Sequence, residues 1–402
     1  MGDGGLSGSR LARMRDTLAR HVGPGQVPGL VALVARRGEV HVETLGVQAV
    51  GGTPVARDTL FRVASMTKPV TAVAAMILVE ECRLRLDDPV DGLLPELAGR
   101  RVLSSLDARL DDTVPAHRPI TVRDLLTFRM GFGVVMAPPG TYPIQRAADE
   151  LELGQGPPRP SVPPAPDEWI RRLGTLPLIH QPGERWMYNT GSDVLGVLIA
   201  RAAGQPFEAF LRERVFEPLG MRDTGFSVPA DQLHRLATSY AADPATGALT
   251  VYDEAAGGDW SRPPAFPSGG GGLVSTADDF LAFGRMMLAH GRYGSHRILS
   301  RPSVETMVTD QLTPAQKPQS GPFADYFAGH GWGFGLSVAT RRTDPAAPVG
   351  RFGWDGGLGT SWSTDPREEL VTVLLTQRNW TSPHPPDVCR DFWTSAYQAI
   401  DD

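Results

Sequence analysis

From Val70 to Val79 the chain carries no charged side chain and only one hydroxyl, Thr71. A helix made of such a run has no face suited to water, so the rest of the fold must enclose it. Directly before it stands Ser65-Met-Thr-Lys68-Pro69. Pro69 lacks an N–H and suits a first helical turn rather than an interior, so the helix is predicted to begin close to Ser65. Ser65 and Lys68 then share one face, about 5–6 Å apart at Cβ. A serine hydroxyl is a poor nucleophile until a base takes its proton. A lysine can be that base only if it is neutral near pH 7. Burial and the positive end of a helix dipole both lower its pKa, and this position supplies both. Ser-x-x-Lys is short enough to recur by chance, and Ser65 would also serve as a plain helix N-cap. The flanking sequence favours chemistry: residues 58–64 read as a short strand or extended lead-in, leaving Ser65 at the mouth of a buried helix.

The 402 residues suffice for one large domain or two smaller ones. A net charge of −6 with no clustered Lys/Arg stripe argues against nucleic acid as a partner. The first ten residues hold no apolar signal core, and no run approaches a membrane span, so a cytoplasmic enzyme is expected. Cys82 and Cys389 fit no metal or redox spacing and are expected to be buried small apolar residues. The nine histidines form no His-x-x-x-His pair, and no metal or cofactor is expected. The sequence does not indicate an oligomeric state.

Leu11, Met14, Leu18 and Val22 recur at helical spacing until Gly23-Pro24-Gly25. Leu30–Ala35, a turn at 36–39 and the alternating Val40–Leu45 form a hairpin pattern. Thr121–Leu126 reads as a short helix with Thr121 as cap and Asp124 in the capping-box position. The segment 131–168 carries nine prolines and little helical pattern; a linker is one reading, and a structured flap over a site is favoured because an apolar pattern resumes directly at Trp169 and Ile170. Residues 191–216 read as one or two helices. The loop 267–274 is glycine-rich and feeds a helix capped by Ser275 or Thr276; packing against the helix start explains it better than a phosphate cradle. Strand-like stretches return at 333–338, 351–354, 359–362 and 370–376, followed by a closing helix over 386–400. An α+β fold is expected, with an antiparallel sheet built from the two termini and flanked by helices. The expected division is 10–90 with 260–402 as one α/β domain, and 91–259 as an inserted, mainly helical domain that includes the flap.

Three stretches together resemble the serine hydrolases of the class C β-lactamase and penicillin-binding type, and most closely the family VIII carboxylesterases. The first is Ser65-Met-Thr-Lys68. The second is Trp186-Met-Tyr-Asn-Thr-Gly-Ser-Asp-Val-Leu-Gly196, where the β-lactamase motif is Tyr-x-Asn. Here Thr190 stands in place of that Asn, and the Asp193-Val-Leu-Gly ending is similar to the esterase form. The third is Phe352-Gly-Trp-Asp-Gly-Gly-Leu-Gly-Thr-Ser-Trp362, where β-lactamases have Lys-Thr-Gly and this chain has Trp354. Leu125-Leu-Thr is similar to the family's Leu-Leu-Thr-His, with Phe128 replacing the His. The likeness runs over roughly residues 10–400 and implies a β-lactamase/transpeptidase-like fold.

The resemblance implies an acyl-enzyme on Ser65, with Lys68 and Tyr188 sharing the base role; a Lys68 ammonium would draw the Tyr188 phenol down toward phenolate, but the two protons are coupled and the sequence leaves open which group is neutral. Backbone N–H groups of Ser65 and Gly357 would hold the oxyanion. Trp354, Asp355, Gly356 and Asn189 would contact substrate. A tryptophan cannot pair with a substrate carboxylate as lysine would, so a small neutral ester is the expected partner. A carboxylesterase on short- to medium-chain acyl esters is therefore expected. The alternatives are an amide-directed hydrolase (β-lactamase, D-amino-acid peptidase or oligoamide hydrolase) and an acyltransferase using the same acyl-enzyme.

Overall fold

The computed structural model describes residues 4–23, 25–318 and 322–402; Pro24, part of the expected helix stop, and Met1–Asp3 lie outside them. Twelve elements frame the site: α1 (Gly8–Ala19), β1 (Gly29–Arg36), β2 (Glu39–Gly46), α2 (Thr67–Glu80), α3 (Thr190–Ala203), α4 (Ala277–Leu288), β3 (His330–Trp332), β4 (Ser337–Ala339), β5 (Phe352–Gly356), β6 (Thr360–Asp365), β7 (Leu370–Thr376) and α5 (Asp387–Gln398). The strands form one antiparallel sheet in the order β3-β4-β5-β6-β7-β1-β2. The two ends of the chain meet in its middle, where Leu33 of β1 pairs with Val373 of β7.

Helices cover both faces of this sheet. Leu30, Ala32 and Val34 of β1 pack with Leu11, Met14 and Leu18 of α1 and Phe392 of α5. Val31 and Leu33, pointing the other way, join the core of α2 and α4 through Val70, Val73, Phe280 and Phe283. Successive strand side chains alternate between faces, so a strand covered on both sides must be apolar throughout. That is the physical reason for the unbroken run in β1, all of whose residues are buried.

The expected helix after Ser65 is present, and its residues from Thr67 to Leu78 are all buried. It opens with a 3-10 turn, Ala64–Met66, that carries Ser65. The extended lead-in contributes Phe61–Arg62, paired with Val274–Ser275 just after the glycine-rich loop. Thr121 caps the Val122–Leu126 helix in a capping box with Asp124. Of the two candidate caps for α4, Thr276 holds the position: its side chain accepts from the Asp279 N–H.

Two expectations need correction. The Pro-rich flap contains a helix, Pro143–Glu150, where little helical pattern was expected. Pro143 sits in its first turn, where a missing N–H costs nothing, so that proline marks a start and not a break. Cys82 is exposed, unlike the buried Cys389; it follows α2 with φ 57°, at the turn that takes the chain off the helix. Residues 91–259 also carry two small antiparallel ladders, 101–103 with 113–115 and 239–242 with 249–253. Among the described residues no single helix is long and apolar enough to cross a membrane.

Candidate active site

Lys68 Nζ lies 3.0 Å from Ser65 Oγ. Its amine also donates to the Gly270 carbonyl, on the glycine-rich loop. Met66, not Ser65, is the N-cap residue of α2, and no side chain caps that helix end, so the capping role is excluded for Ser65. Tyr188 arrives at the C-terminal end of the 131–188 excursion, immediately before α3. Its hydroxyl is hydrogen-bonded to Ser65 and accepts from Trp354 Nε1 at 2.8 Å. The Lys68 amine stands 4.6 Å from the centre of the Tyr188 ring. Three segments distant in sequence thus converge on one hydroxyl.

Backbone strain flanks both reacting side chains. Ala64, next to Ser65, has φ 44°, and Asn189, next to Tyr188, has φ 81° and ψ −69°. Such conformations cost about 1–3 kcal/mol each and persist where surrounding packing over-determines them. Here the surroundings are Val63 O, bound by Thr360 Oγ1 at 3.1 Å, and the start of α3 with its buried Thr190.

Burial dominates the electrostatics. Lys68 is fully enclosed; this pushes its pKa down to about 7, with the Asp193 carboxylate pulling the other way. Burial pushes the Tyr188 phenol above its ordinary value near 10, against the hydrogen bonds from Ser65 and Trp354. Burial thus favours the neutral amine and the protonated phenol, a choice the sequence left open. The reason is the aromatic box around Tyr188, made of Phe128, Trp186, Phe323 and Trp354, which solvates a phenolate poorly. Phe128, at the position of the family's His, has φ 59° and packs edge-on to Tyr188.

Asp193 was not among the expected site residues. It lies on the first turn of α3, where its Oδ1 accepts from Ser268 Oγ at 2.6 Å and Gly270 N at 3.0 Å. Asn189 Nδ2 donates to its Oδ2 at 3.3 Å. Burial pushes the Asp193 carboxyl up, opposed by Ser268, the Lys68 charge and the Gly270 N–H. Its signal was the Asp193-Val-Leu-Gly ending together with the glycine loop: the carboxylate orders the loop whose carbonyl holds Lys68.

Ser65, Tyr188, Asn189, Trp354, Asp355 and Gly357 line one cavity of about 940 Å3. Burial holds the Asp355 carboxyl up at about 6, against Ser361 and Arg351. Gly356 does not belong to this lining. A Cβ there would meet Thr360 Oγ1 at 2.2 Å and Val63 O at 2.3 Å, so its glycine lets β5 approach the stretch before Ser65 rather than a substrate. At Gly357 a Cβ would meet nothing within 4 Å, which leaves the backbone open to the cavity. The flap forms the opposite wall through Val134, Met136 and residues 154–158.

An antiparallel sheet carrying a serine and a buried lysine at the start of an enclosed helix, with a tyrosine closing the triangle, defines a serine hydrolase of the penicillin-binding type. The beta-lactamase family model matches residues 14–388, and the chain belongs to that family. Protein Rv1367c of Mycobacterium tuberculosis is 42% identical over 377 residues, covering 91% of this chain and 88% of its own. Esterase EstB of Burkholderia gladioli is 32% identical over 383 residues, covering 87% of this chain and 85% of its own. The solved structure of EstCE1, a hydrolase with promiscuous acyltransferase activity, superposes with a TM-score of 0.77 at 27% identity, over 97% of this chain and 99% of that one.

Proposed function

We propose that the protein is a serine carboxylesterase acting on small neutral esters through an acyl-enzyme on Ser65. The observation that carries this reading is the 3.0 Å approach of an enclosed Lys68 amine, with its pKa near 7, to the Ser65 hydroxyl. At neutral pH about half of such amines are free to take a proton. Ser65 Oγ attacks the acyl carbon as Lys68 accepts its proton. The oxyanion settles between the backbone N–H groups of Ser65 and Gly357. Tyr188, protonated and hydrogen-bonded to Ser65, gives its proton to the departing alkoxide and is reprotonated from Lys68. The C–O bond to the alcohol breaks and a neutral alcohol leaves. Water then repeats the sequence on the acyl-enzyme, releasing the acid. Asn189, Trp354 and Asp355 supply the wall against which the ester lies.

Trp354 supports ester over β-lactam: it offers an indole N–H already engaged with Tyr188, and no ammonium for a carboxylate. Acyl transfer to an alcohol is the second reading, favoured by the described activity of EstCE1 and by a cavity roomy enough for an acceptor. The deciding experiment measures hydrolysis of p-nitrophenyl acetate by wild type, Ser65→Ala and Tyr188→Phe, with a chromogenic cephalosporin alongside. Loss of ester hydrolysis in both variants, and fluorophosphonate labelling confined to Ser65, is expected. Equal rates in all three proteins would end this mechanism, and a faster cephalosporin would replace the ester.

A further inference from the structure

Three residues before Ser65 stands a buried charge that the chemistry above does not use. Arg62 lies on the short strand that leads to the nucleophile. Its side chain is only 2% exposed and is paired with Asp253, whose own is 7% exposed. Arg62 Nε donates to Asp253 Oδ2 at 2.7 Å. Nη2 donates to the same oxygen and to the Glu254 carbonyl, the latter at 2.9 Å. Nη1 donates to the Ala237 carbonyl. Asp253 Oδ1 accepts from the Asp259 N–H at 2.6 Å. Such a pair adds little net stability, because desolvation of both ions offsets their attraction. It supplies direction instead: a planar fork held by four hydrogen bonds fixes the strand that carries it.

The same guanidinium reaches the side of the base. It lies over the Trp260 ring, 5.3 Å from its centre, and the Trp260 indole donates to the Gly272 carbonyl at 2.8 Å. Gly272 is two residues from Gly270, whose carbonyl accepts from Lys68. Strand and loop are also joined directly: the Val63 N–H donates to the Leu273 carbonyl at 3.0 Å, and the Leu273 N–H donates to Thr67 Oγ1 at 3.2 Å. Between Arg62 and Ser65 the chain passes through Ala64 at φ 44°, a conformation that persists only where its surroundings over-determine it. We propose that the Arg62–Asp253 pair, with Trp260, positions the Ser65 hydroxyl against the Lys68 amine. The inference rests on the esterase reading above and adds three positioning residues to it, none of which lines the catalytic cavity. Without the pair the strand and the glycine loop shift against each other, and a misplacement of about 1 Å can cost about 10²-fold in rate.

The test replaces the pair by apolar residues of similar size, Arg62→Met together with Asp253→Leu, an exchange that buried ion pairs often tolerate. Fluorophosphonate labelling of Ser65, taken to completion, counts the folded active sites, so unfolded protein does not enter the rates. Two quantities are read per active site: kcat/KM for p-nitrophenyl acetate, and the inhibition constant of p-nitrophenyl ethyl ether, an analogue with no acyl carbon to attack. A loss of about 30–100-fold in kcat/KM is expected, with the inhibition constant within about 2-fold of wild type. Arg62→Lys keeps the charge without the fork and should recover part of that loss. Trp260→Phe keeps the ring, deletes the N–H to Gly272 and should lower kcat/KM about 3–10-fold, again without weakening the ether. A double variant within about 3-fold of wild type per active site would overturn the proposal. So would an inhibition constant that weakens as much as kcat/KM falls, since the pair would then support the cavity wall. If the double variant does not fold, Arg62→Lys and Trp260→Phe decide by the same two readouts, and wild-type values in both overturn the proposal. If the wild type leaves p-nitrophenyl acetate intact, the esterase reading fails instead. The rate of fluorophosphonate labelling at Ser65 then decides the positioning role by the same fold-loss.

Discussion

Trp354 Nε1 donates a hydrogen bond to the oxygen of Tyr188, the same oxygen that is hydrogen-bonded to Ser65. The indole stands on β5 at the motif position where β-lactamases carry lysine. It supplies a dipole in place of a charge, and so makes the phenol a better acid without drawing it to phenolate. Removing that dipole should matter only while the phenol is there to feel it.

Trp354→Phe keeps a ring in the aromatic box and deletes the N–H. A neutral hydrogen bond is worth about 0.5–1.5 kcal/mol, so kcat should fall about 3–10-fold. Tyr188→Phe removes the acid itself and should cost about 10²–10⁴-fold. In a double-mutant cycle, Trp354→Phe should add almost nothing once Tyr188 is Phe. Multiplying losses would show that the indole acts by another route.

The Lys68 pKa near 7 sets a pH profile. The amine is the base only when unprotonated, so kcat/KM should rise with pH through about 7 and then level. The groups facing the amine are Ser65, the Tyr188 ring, the Gly270 carbonyl and the Asp193 carboxylate. Only Asp193 contributes a charge, and it holds the lysine pKa up. Asp193→Asn should therefore move the midpoint to lower pH, alongside any loss of rate from a loosened glycine loop. A midpoint that stays in place would remove Asp193 from the electrostatics of the base.

How much of this was legible in the sequence follows from where the information sits. The sheet was readable because β1 and β7 are apolar on both faces and near opposite ends of the chain. Ser65 and Lys68 were readable because their contact is local, a matter of helical spacing. Tyr188 was found through its motif, since no spacing rule joins residues so far apart. Which of the amine and the phenol is neutral was left open for the same reason: it depends on Phe128, Phe323 and Trp354, which only tertiary packing brings around the ring. Asp193 escaped because its role runs through the loop it orders rather than through the serine. The Pro143–Glu150 helix was masked by the prolines of the flap, although Pro143 itself marks the helix start.

The flap has a side-chain anchor that can be cut cleanly. Tyr252 Oη donates to Pro158 O at 2.7 Å, and the Arg159 guanidinium lies 5.6 Å from the Tyr252 ring centre. Pro157 and Pro158 line the catalytic cavity. Tyr252→Phe keeps the ring and loses the tether, so a substrate must order the flap as it binds. KM should rise about 3–10-fold with a smaller change in kcat. A change in kcat alone would mean that the flap acts on the chemistry and not on binding.

The machinery also has a cost in stability that can be measured through its pH dependence. Lys68 has a pKa of about 7 when folded and about 10.5 when free, so below pH 7 folding must bury an ammonium. The penalty is complete below about pH 7 and disappears as pH rises toward 10.5, because the unfolded chain binds the extra proton throughout that window. Lys68→Met removes it and fills the same space. At pH 6 the variant should be the more stable protein by up to about 5 kcal/mol, less about 1–3 kcal/mol for the Gly270 carbonyl left without its donor. Between pH 6 and pH 9 the wild type should regain about 2–3 kcal/mol relative to the variant. Well above pH 7 the wild-type lysine is itself neutral, so Asp193 lacks a cation in both proteins and adds nothing to the difference there. Urea unfolding of both proteins at the two pH values tests this. A stability difference that is flat with pH, or that grows in the variant's favour, would mean that Lys68 is charged in the folded state, and the base for Ser65 would have to be sought elsewhere.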